Sequence, residues 1–416
     1  MLGRRHAVIA MTTLAMLIAY SDRVNLSVAA LAMRTQFGWS ESTKGVVLAS
    51  FFAGYLVCML PAGWLANRYG GRRVLGAAVI WWSAFTVLTP LAASVSASTL
   101  IATRVALGMG ESAVMPAVFA LLANWAPPGE RTRAAALFLS GIPLGQIAGF
   151  IGSAELTQRY GWPSSFYLFG ALGLAWSAVW MLRARERPAE DQKLSSAERA
   201  LFVDPAPTHA PPGIAAWRSL AGHRPVWAIV AVHFAGNWAL YVLLSWLPSY
   251  FHDAIGLSIA NAGLYAAAPS LVSFVSFNVV AYVADRALAR GSGRLAVRRA
   301  QVLIGAAGAG VLLLSLRQVH SADLALAMLC AASGFMAFVS SGFSANVLDV
   351  APRHAALLMA MSNTIATLPG LIGVAATGWL VQVTGTYDAA FVLTAVILIG
   401  AAGVFARLGA AEPVEV

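Results

Sequence analysis

The sequence predicts an all-α polytopic membrane protein, with twelve transmembrane helices in two pseudo-symmetric six-helix bundles. Three observations predict it. Of 416 residues, 59% are hydrophobic and only 11% are charged, against about 25% charged in an ordinary soluble domain. Apolar runs of spanning length, roughly 17–25 residues, recur twelve times. One polar stretch, 184–222, divides them six and six. The same composition excludes a disordered chain, which requires low hydrophobicity, and the length matches a set of spans with short loops better than two or three soluble domains.

The first six runs lie near 7–29, 44–66, 74–93, 97–122, 134–154 and 163–183. The first follows Arg4 and Arg5 in the manner of a secretory signal, but Asp22, Arg23 and Asn25 interrupt its apolar end. It therefore reads as a retained span, not a cleaved leader. The fifth carries Gly141, Gly145, Gly149 and Gly152 around Pro143. Such a small-residue stripe permits close helix approach, either as packing alone or as a contact on which two bundles rock. The second six runs lie near 225–250, 259–284, 299–317, 322–346, 355–382 and 388–408, with Pro369, Gly370 and Gly373 as the counterpart stripe. The expected organisation is a first bundle over 1–183, a linker over 184–222 and a second bundle over 223–416. The halves echo each other: Gly63–Arg73 follows span two, and Tyr282–Gly291 follows span eight. Repeated halves of this kind are a transporter architecture with a midplane site.

The net charge of +10 would suggest nucleic acid in a soluble chain; here it reports topology, so no nucleic-acid partner is expected. With the N-terminus inside, 21 of the Lys and Arg residues fall on the inner side, 4 (Arg34, Lys44, Arg159 and Arg317) on the outer side, and 2 within the bilayer. Basic residues accumulate on the cytoplasmic side, so both termini are expected there, in a cell inner membrane. Cys58 and Cys330 lie in apolar runs and read as small buried hydrophobes. No Walker loop, metal-ligand cluster or catalytic triad stands out, so no cofactor, no metal and no enzymatic activity are expected.

A charge at the centre of a membrane helix costs about 2.5–3.5 kcal/mol on insertion scales and marks function by default. Asp22 and Arg23 stand in span one, Arg104 and Glu111 in span four. At 1.5 Å per residue Arg23 lies roughly 24 Å from the inner end of its span, and Arg104 roughly 10 Å from the outer end of its own. Both fall in the outer half of the membrane, where they could close on one anion. Glu111 follows Arg104 by nearly two turns, about 10 Å deeper on the same face, with Gly108 and Gly110 beside it leaving room for water or substrate. Desolvation and a nearby arginine act in opposite directions on a carboxyl's hold on its proton, which is the competition a proton carrier needs. The alternative is a static ion pair pinning two helices. Tyr20 and Tyr55 could bracket the arginines. Gln146 is the polar exception in span five. Asn237, Trp238, Tyr241, Ser340, Asn363 and Thr364 could recognise hydroxyls, or form ordinary interhelical hydrogen bonds. His233 reads as packed or hydrogen-bonded, with a proton-relay role as the alternative.

Gly63-Trp-Leu-Ala-Asn-Arg-Tyr-Gly-Gly-Arg-Arg73 resembles the loop signature of the major facilitator superfamily, and Arg104-Val-Ala-Leu-Gly-Met-Gly-Glu111 resembles its span-four signature. Within it, Tyr20–Ala29, Asn237-Trp238, Ser341–Arg353 and Ser362–Gly370 look like the anion:cation symporter family. That family includes sialin, plastid phosphate transporters and bacterial sugar-acid symporters. The resemblance implies that Arg23 and Arg104 engage an anion, that Asp22 and Glu111 handle protons, and that Tyr20, Tyr55, Ser340 and Asn363 line the substrate site. It also implies a gating loop of Gly63, Asn67, Arg68, Gly70, Arg72 and Arg73, with Asp285 and Arg286 as the second-half equivalents. Asn67 stands where the signature usually has Asp. Gly236 and Leu48 stand where vesicular glutamate transporters carry arginine and histidine, which argues against glutamate.

The leading expectation is a proton-coupled symporter of a small organic anion, a sugar acid above all, working as a monomer in the bilayer. The alternatives are a proton-coupled exporter of acidic metabolites or drugs, a phosphate transporter and a non-transporting sensor.

Overall fold

The computed structural model describes residues 3–127, 129–202 and 214–414, and among them every regular element is helical. The chain divides into two compact units, Met1–Gln36 with Ser50–His209 and Phe37–Ala49 with Ala210–Val416. The first turns of the second long helix therefore group with the second unit, although the rest of that helix belongs to the first.

The first unit is built from α1 (Arg4–Phe37), most of α2 (Glu41–Tyr69), α3 (Gly71–Val95), α4 (Ala97–Glu111), α5 (Val114–Trp125), α6 (Arg131–Tyr160), α7 (Pro163–Arg183) and the short α8 (Ser196–Arg199). The second holds α9 (Ile214–Ala221), α10 (Arg224–Ser249), α11 (Ile259–Ala289), α12 (Arg294–Ser315), α13 (Ala322–Val350), α14 (Ala355–Thr384) and α15 (Asp388–Leu408). Among the described residues, twelve spans, with α4 and α5 counted as one and α10 continued by a π turn over Tyr250–Ala254, are long and apolar enough to cross a membrane. Several exceed their apolar runs. The 34 residues of α1 would measure about 51 Å at 1.5 Å per residue, because polar residues beyond the hydrocarbon still propagate a helix.

Span four is not the single run that hydropathy suggests. It breaks at Ser112–Ala113, directly after Glu111. Pro116 has no N–H to return to the Ser112 carbonyl, and its ring crowds that turn; Ala113 N–H instead donates to the Gly110 carbonyl at 3.2 Å.

The α6 stripe resolves in favour of packing inside the first unit. A Cβ on Gly141 would meet the Thr13 carbonyl at 2.6 Å, and those on Gly145 and Gly149 would strike Leu17, Tyr20, Ser21 and Val24. The Ser21 hydroxyl donates to the Gly145 carbonyl at 3.0 Å. The stripe is thus filled by α1. The large core side chains of this unit include Phe51, Trp82, Trp125, Trp180, Phe138, Phe150 and Phe166, all nearly inaccessible.

Two carboxylates from the start of the linker cap helices of the first bundle. Glu186 accepts from the Gly71 and Arg72 N–H groups at 3.0 and 2.9 Å, at the first turn of α3. Glu198 accepts from those of Arg4 and Arg5 at 2.9 and 2.8 Å, at the first turn of α1. These are the orphan donors of a helix N-terminus, where a negative charge is favoured. Burial opposes ionisation of Glu198, but these N–H groups and the Arg5 guanidinium outweigh it and hold the carboxyl below its usual range. In the second unit α10 packs against both α14 and α15, and α13 against α11 and α12. Gly385, at φ 72°, ends α14 in the left-handed conformation that glycine adopts without strain.

Candidate transport site

In the first unit the four intramembrane charges converge. Arg23 on α1 reaches across to α4, and its Nη2 donates to Glu111 Oε2 at 2.9 Å. Its guanidinium carbon lies 4.4, 4.7 and 5.3 Å from the ring centroids of Tyr20, Phe51 and Tyr55. A cation over aromatic faces gains about 0.5–2 kcal/mol, most when desolvated. Arg104 lies 5.8 Å from the same Phe51 ring, so one side chain of α2 borders both arginines. Glu111 therefore pairs with Arg23 on the neighbouring helix, although it shares a helix face with Arg104.

The rest of the cluster is open. Arg104 is 2% exposed and Asp22 1%. Arg104 Nε and Nη1, both Asp22 carboxyl oxygens and Glu111 Oε1 have no hydrogen-bond partner among the described residues. Asp22 lies beside Trp82 and Thr86 of α3, within electrostatic reach of Arg104 and Glu111. Buried polar atoms are normally paired because leaving one unpaired costs on the order of 1–3 kcal/mol. Open atoms on both a guanidinium and a carboxyl, side by side, are a place where an anion and a cation can each find a partner. Gln146 is buried on α6 beside Gly145, whose backbone abuts Tyr20.

The glycines expected to leave room here are filled instead. A Cβ on Gly108 would collide with the Phe51 carbonyl, and one on Gly54 with that of Val105. A Cβ on Gly110 would meet the Trp81 ring at 2.6 Å. Backbone-to-backbone contact of α2 with α4 is what brings Phe51 beside the arginines.

In the second unit, Asn237 Nδ2 donates to the Ala366 carbonyl at 2.7 Å, with the Tyr241 hydroxyl at 3.5 Å. His233 shares a 2.8 Å hydrogen bond with the Ser362 hydroxyl and stacks on Phe343, centroids 4.4 Å apart. This satisfies the packed reading of His233. Thr364 donates to its own helix at Ala360, and the carbonyls of Ser340 and Asn363 accept from Ser344 and Thr367. Asn237 and Tyr241 thus gather beside α14, where Asn363 and Thr364 are half-buried, and Ser340 is half-buried on α13.

The profile of the Major Facilitator Superfamily matches residues 12–355. The chain belongs to this superfamily. Among curated relatives it is 37% identical to the "Sodium-dependent phosphate transport protein 1, chloroplastic" of Arabidopsis thaliana, over 94% of this chain and 76% of that one. It is 36% identical to the "Ascorbate transporter, chloroplastic" of the same plant, over 95% and 73%, and 37% identical to "Probable anion transporter 4, chloroplastic" of Oryza sativa subsp. japonica, over 95% and 67%. The fold is that of a bacterial homologue of the human lysosomal transporter Spinster, with a TM-score of 0.80 at 19% identity, covering 97% of this chain and 96% of that one. It is also that of a D-xylose–proton symporter, with a TM-score of 0.75 at 15% identity and 98% of both chains. The protein is a membrane transporter and not an enzyme.

The superfamily's loop residues sort into two groups. Gly70, at φ 87°, turns the corner into α3, and Arg72 donates to the Met181 carbonyl at 2.7 Å. Asn67, Arg68 and Arg73 are exposed, Gly63 has open space where a Cβ would go, Asp285 is exposed, and Arg286 donates to Tyr282 at 2.9 Å.

Two features escape the sequence. Phe51 has no polar signal, and only its place between two arginines reveals it. Lys44, counted on the outer side, is fully buried in the second unit. Its Nζ lies 2.7 Å from Glu41, 3.2 Å from the Ser249 hydroxyl, 3.6 Å from Asp253 and 4.8 Å from the Trp246 ring. The spacing Glu41-x-x-Lys44 at a helix start was the available signal, since such residues share a face.

Proposed function

We propose that the protein moves small anions across a membrane by alternating access, with inorganic phosphate as the first substrate and sugar-acid-like carboxylates as the second. The observation that carries the reading is Arg104, a buried guanidinium with Nε and Nη1 unpartnered beside an arginine already committed to Glu111. A planar fork of N–H donors suits phosphate and carboxylate alike. The relative named for phosphate transport supports the first substrate, and the one named for ascorbate supports an organic anion as the second.

Asp22 and Glu111 are the coupling groups in this reading. An anion that draws Arg23 away from Glu111 frees that carboxyl to bind a cation, so the two ligands travel together. Protons are the expected cation; sodium is the other, because a relative is named as sodium-dependent. Within the first unit Gln146 supplies hydroxyl recognition for a larger substrate, within the second Asn237, Tyr241, Ser340, Asn363 and Thr364 are the polar candidates, and the basic loops face the cytoplasm of a cell inner membrane.

Uptake of radiolabelled phosphate, ascorbate and hexuronate into proteoliposomes, under separate inward proton and sodium gradients, tests each part. Accumulation of phosphate under one gradient, abolished by Arg104→Ala, is expected. Accumulation of carboxylates without phosphate would select the second substrate class. Uptake indifferent to both Arg104→Ala and Arg23→Ala would remove the site.

A further inference from the structure

A second site lies on the first unit, at its arginine-rich end. A cavity of about 500 Å3 opens where the linker leaves α7, lined by Arg4, Arg183, Arg185 and Lys193 with Glu190 and Asp191. It is held open by fixed contacts. Arg4 Nε and Nη2 donate to the Asp191 carboxylate at 2.9 and 2.7 Å, and Asp191 also accepts from the Lys193 N–H at 3.0 Å. Pro188, Asp191 and Leu194 are buried, so this stretch of linker is seated on the bundle.

The charges leave an excess. Asp191 is committed to Arg4, and among the residues lining the cavity Glu190 is the remaining carboxylate beside Arg183, Arg185 and Lys193. The closing carbonyls of α7, which would repel an anion, are covered: Arg183's accepts from Arg4, and those of Leu182 and Ala184 from Arg185.

Arg4 and Arg183 also line the mouth of a second, apolar space of about 550 Å3 between α1 and α7. Met11, Leu14 and Ile18 form one wall, and Leu172, Ala175 and Val179 the other. Trp176 closes the floor, its Nε1 donating to the Met11 carbonyl at 3.1 Å. From Arg4 to Ile18 the groove runs roughly 21 Å along α1 at 1.5 Å per residue, enough for one leaflet of a hydrocarbon core about 30 Å thick. A cationic cup joined end-on to an apolar channel of leaflet depth is complementary to one class of molecule. Scattered inner-loop arginines explain a basic surface, but not a concave cup continuous with a groove.

We infer that this composite site binds an anionic phospholipid, its headgroup phosphate against Arg183, Arg185 and Lys193 and one acyl chain between α1 and α7. Basic pockets at the ends of membrane helices recognise such headgroups through charge.

Native mass spectrometry of the full-length protein, delipidated and then titrated with phosphatidylglycerol or phosphatidylcholine, tests the assignment. Phosphatidylglycerol is expected to be retained at least about tenfold more tightly, each surface cation contributing roughly fivefold. The triple variant Arg183→Gln/Arg185→Gln/Lys193→Gln should bring the two lipids within about twofold of each other. Ala175→Trp, which blocks the groove without altering charge, should weaken both lipids while keeping their order. Glycerol phosphate at the same concentration should not displace the lipid; displacement would make the cup a free-phosphate site and overturn the assignment. Equal retention of the two lipids by the unmodified protein, or an undiminished preference in the triple variant, would also overturn it.

Discussion

Two buried charge clusters in this chain are built in opposite ways. In the first unit, Arg23 is closed on Glu111, while atoms of Arg104, Asp22 and Glu111 face no hydrogen-bond partner among the described residues. In the second, Lys44 is surrounded by Glu41, Asp253, Ser249 and the Trp246 ring, and Tyr387 donates to Asp253 at 3.1 Å. A closed cluster holds its helices, because removing one member strands a buried charge. An open one keeps donors and acceptors for a ligand. Burial of charge alone therefore does not separate the two clusters; the number of unanswered polar atoms does.

The sharpest test is Arg104→Ala. It should lower anion uptake on the order of a hundredfold or more, as truncation of a buried charged contact does, with a smaller fall in the protein's melting temperature than Lys44→Met causes. A large fall in stability with transport retained would erase the contrast. Lys44→Met should do the reverse, costing roughly 2–4 kcal/mol of stability by stranding Glu41 and Asp253. The double variant with Glu41→Gln should recover part of it, as thermal unfolding in detergent would show.

A smaller effect separates two glycines. Gly108→Ala forces a methyl into the Phe51 carbonyl and should cost about 1–3 kcal/mol, misplacing Phe51 and weakening uptake. Gly236→Ala finds its nearest neighbours at 3.8 and 3.9 Å and should stay within about 0.5 kcal/mol.

The smallest effect lies at alkaline pH. Burial, with the negative charges of Asp253 and Glu41 beside it, pushes the Tyr387 phenol well above its ordinary range. Its folded value is raised, so its contribution is complete below the unfolded value of about 10 and is lost as pH rises through the folded one. Melting temperature followed above pH 10 should show a decline that Tyr387→Phe shifts or removes.

The spans were legible because each signal is local. Twenty or so apolar residues must form a helix in hydrocarbon, where every N–H and C=O has to be answered within the segment. The break in span four was also written locally, in Pro116, but hydropathy averages over it. The candidate site residues Asp22, Arg23, Arg104 and Glu111 stood out because charge is rare in these runs. Their pairing was not. Helix periodicity places Glu111 on the face of Arg104, whereas the approach of α1 delivers Arg23 to it, and that approach depends on glycines in α6 fitting side chains of α1. The surroundings of Lys44 were hidden for the same reason: composition counts it on the outer side, and only packing shows it enclosed by Glu41 together with Trp246, Ser249 and Asp253, more than two hundred positions away.

By itself, then, the sequence determined the membrane class, the twelve spans and the short roster of charges placed within them, since those follow from transfer free energies along one chain. Which of those charges answer one another was decided only by tertiary structure. So were Phe51 bordering two arginines, and a linker carboxylate fixing Arg4 at the mouth of an apolar groove. These depend on distances between helices, and such distances are set by side-chain volume at contacts that no single helix contains.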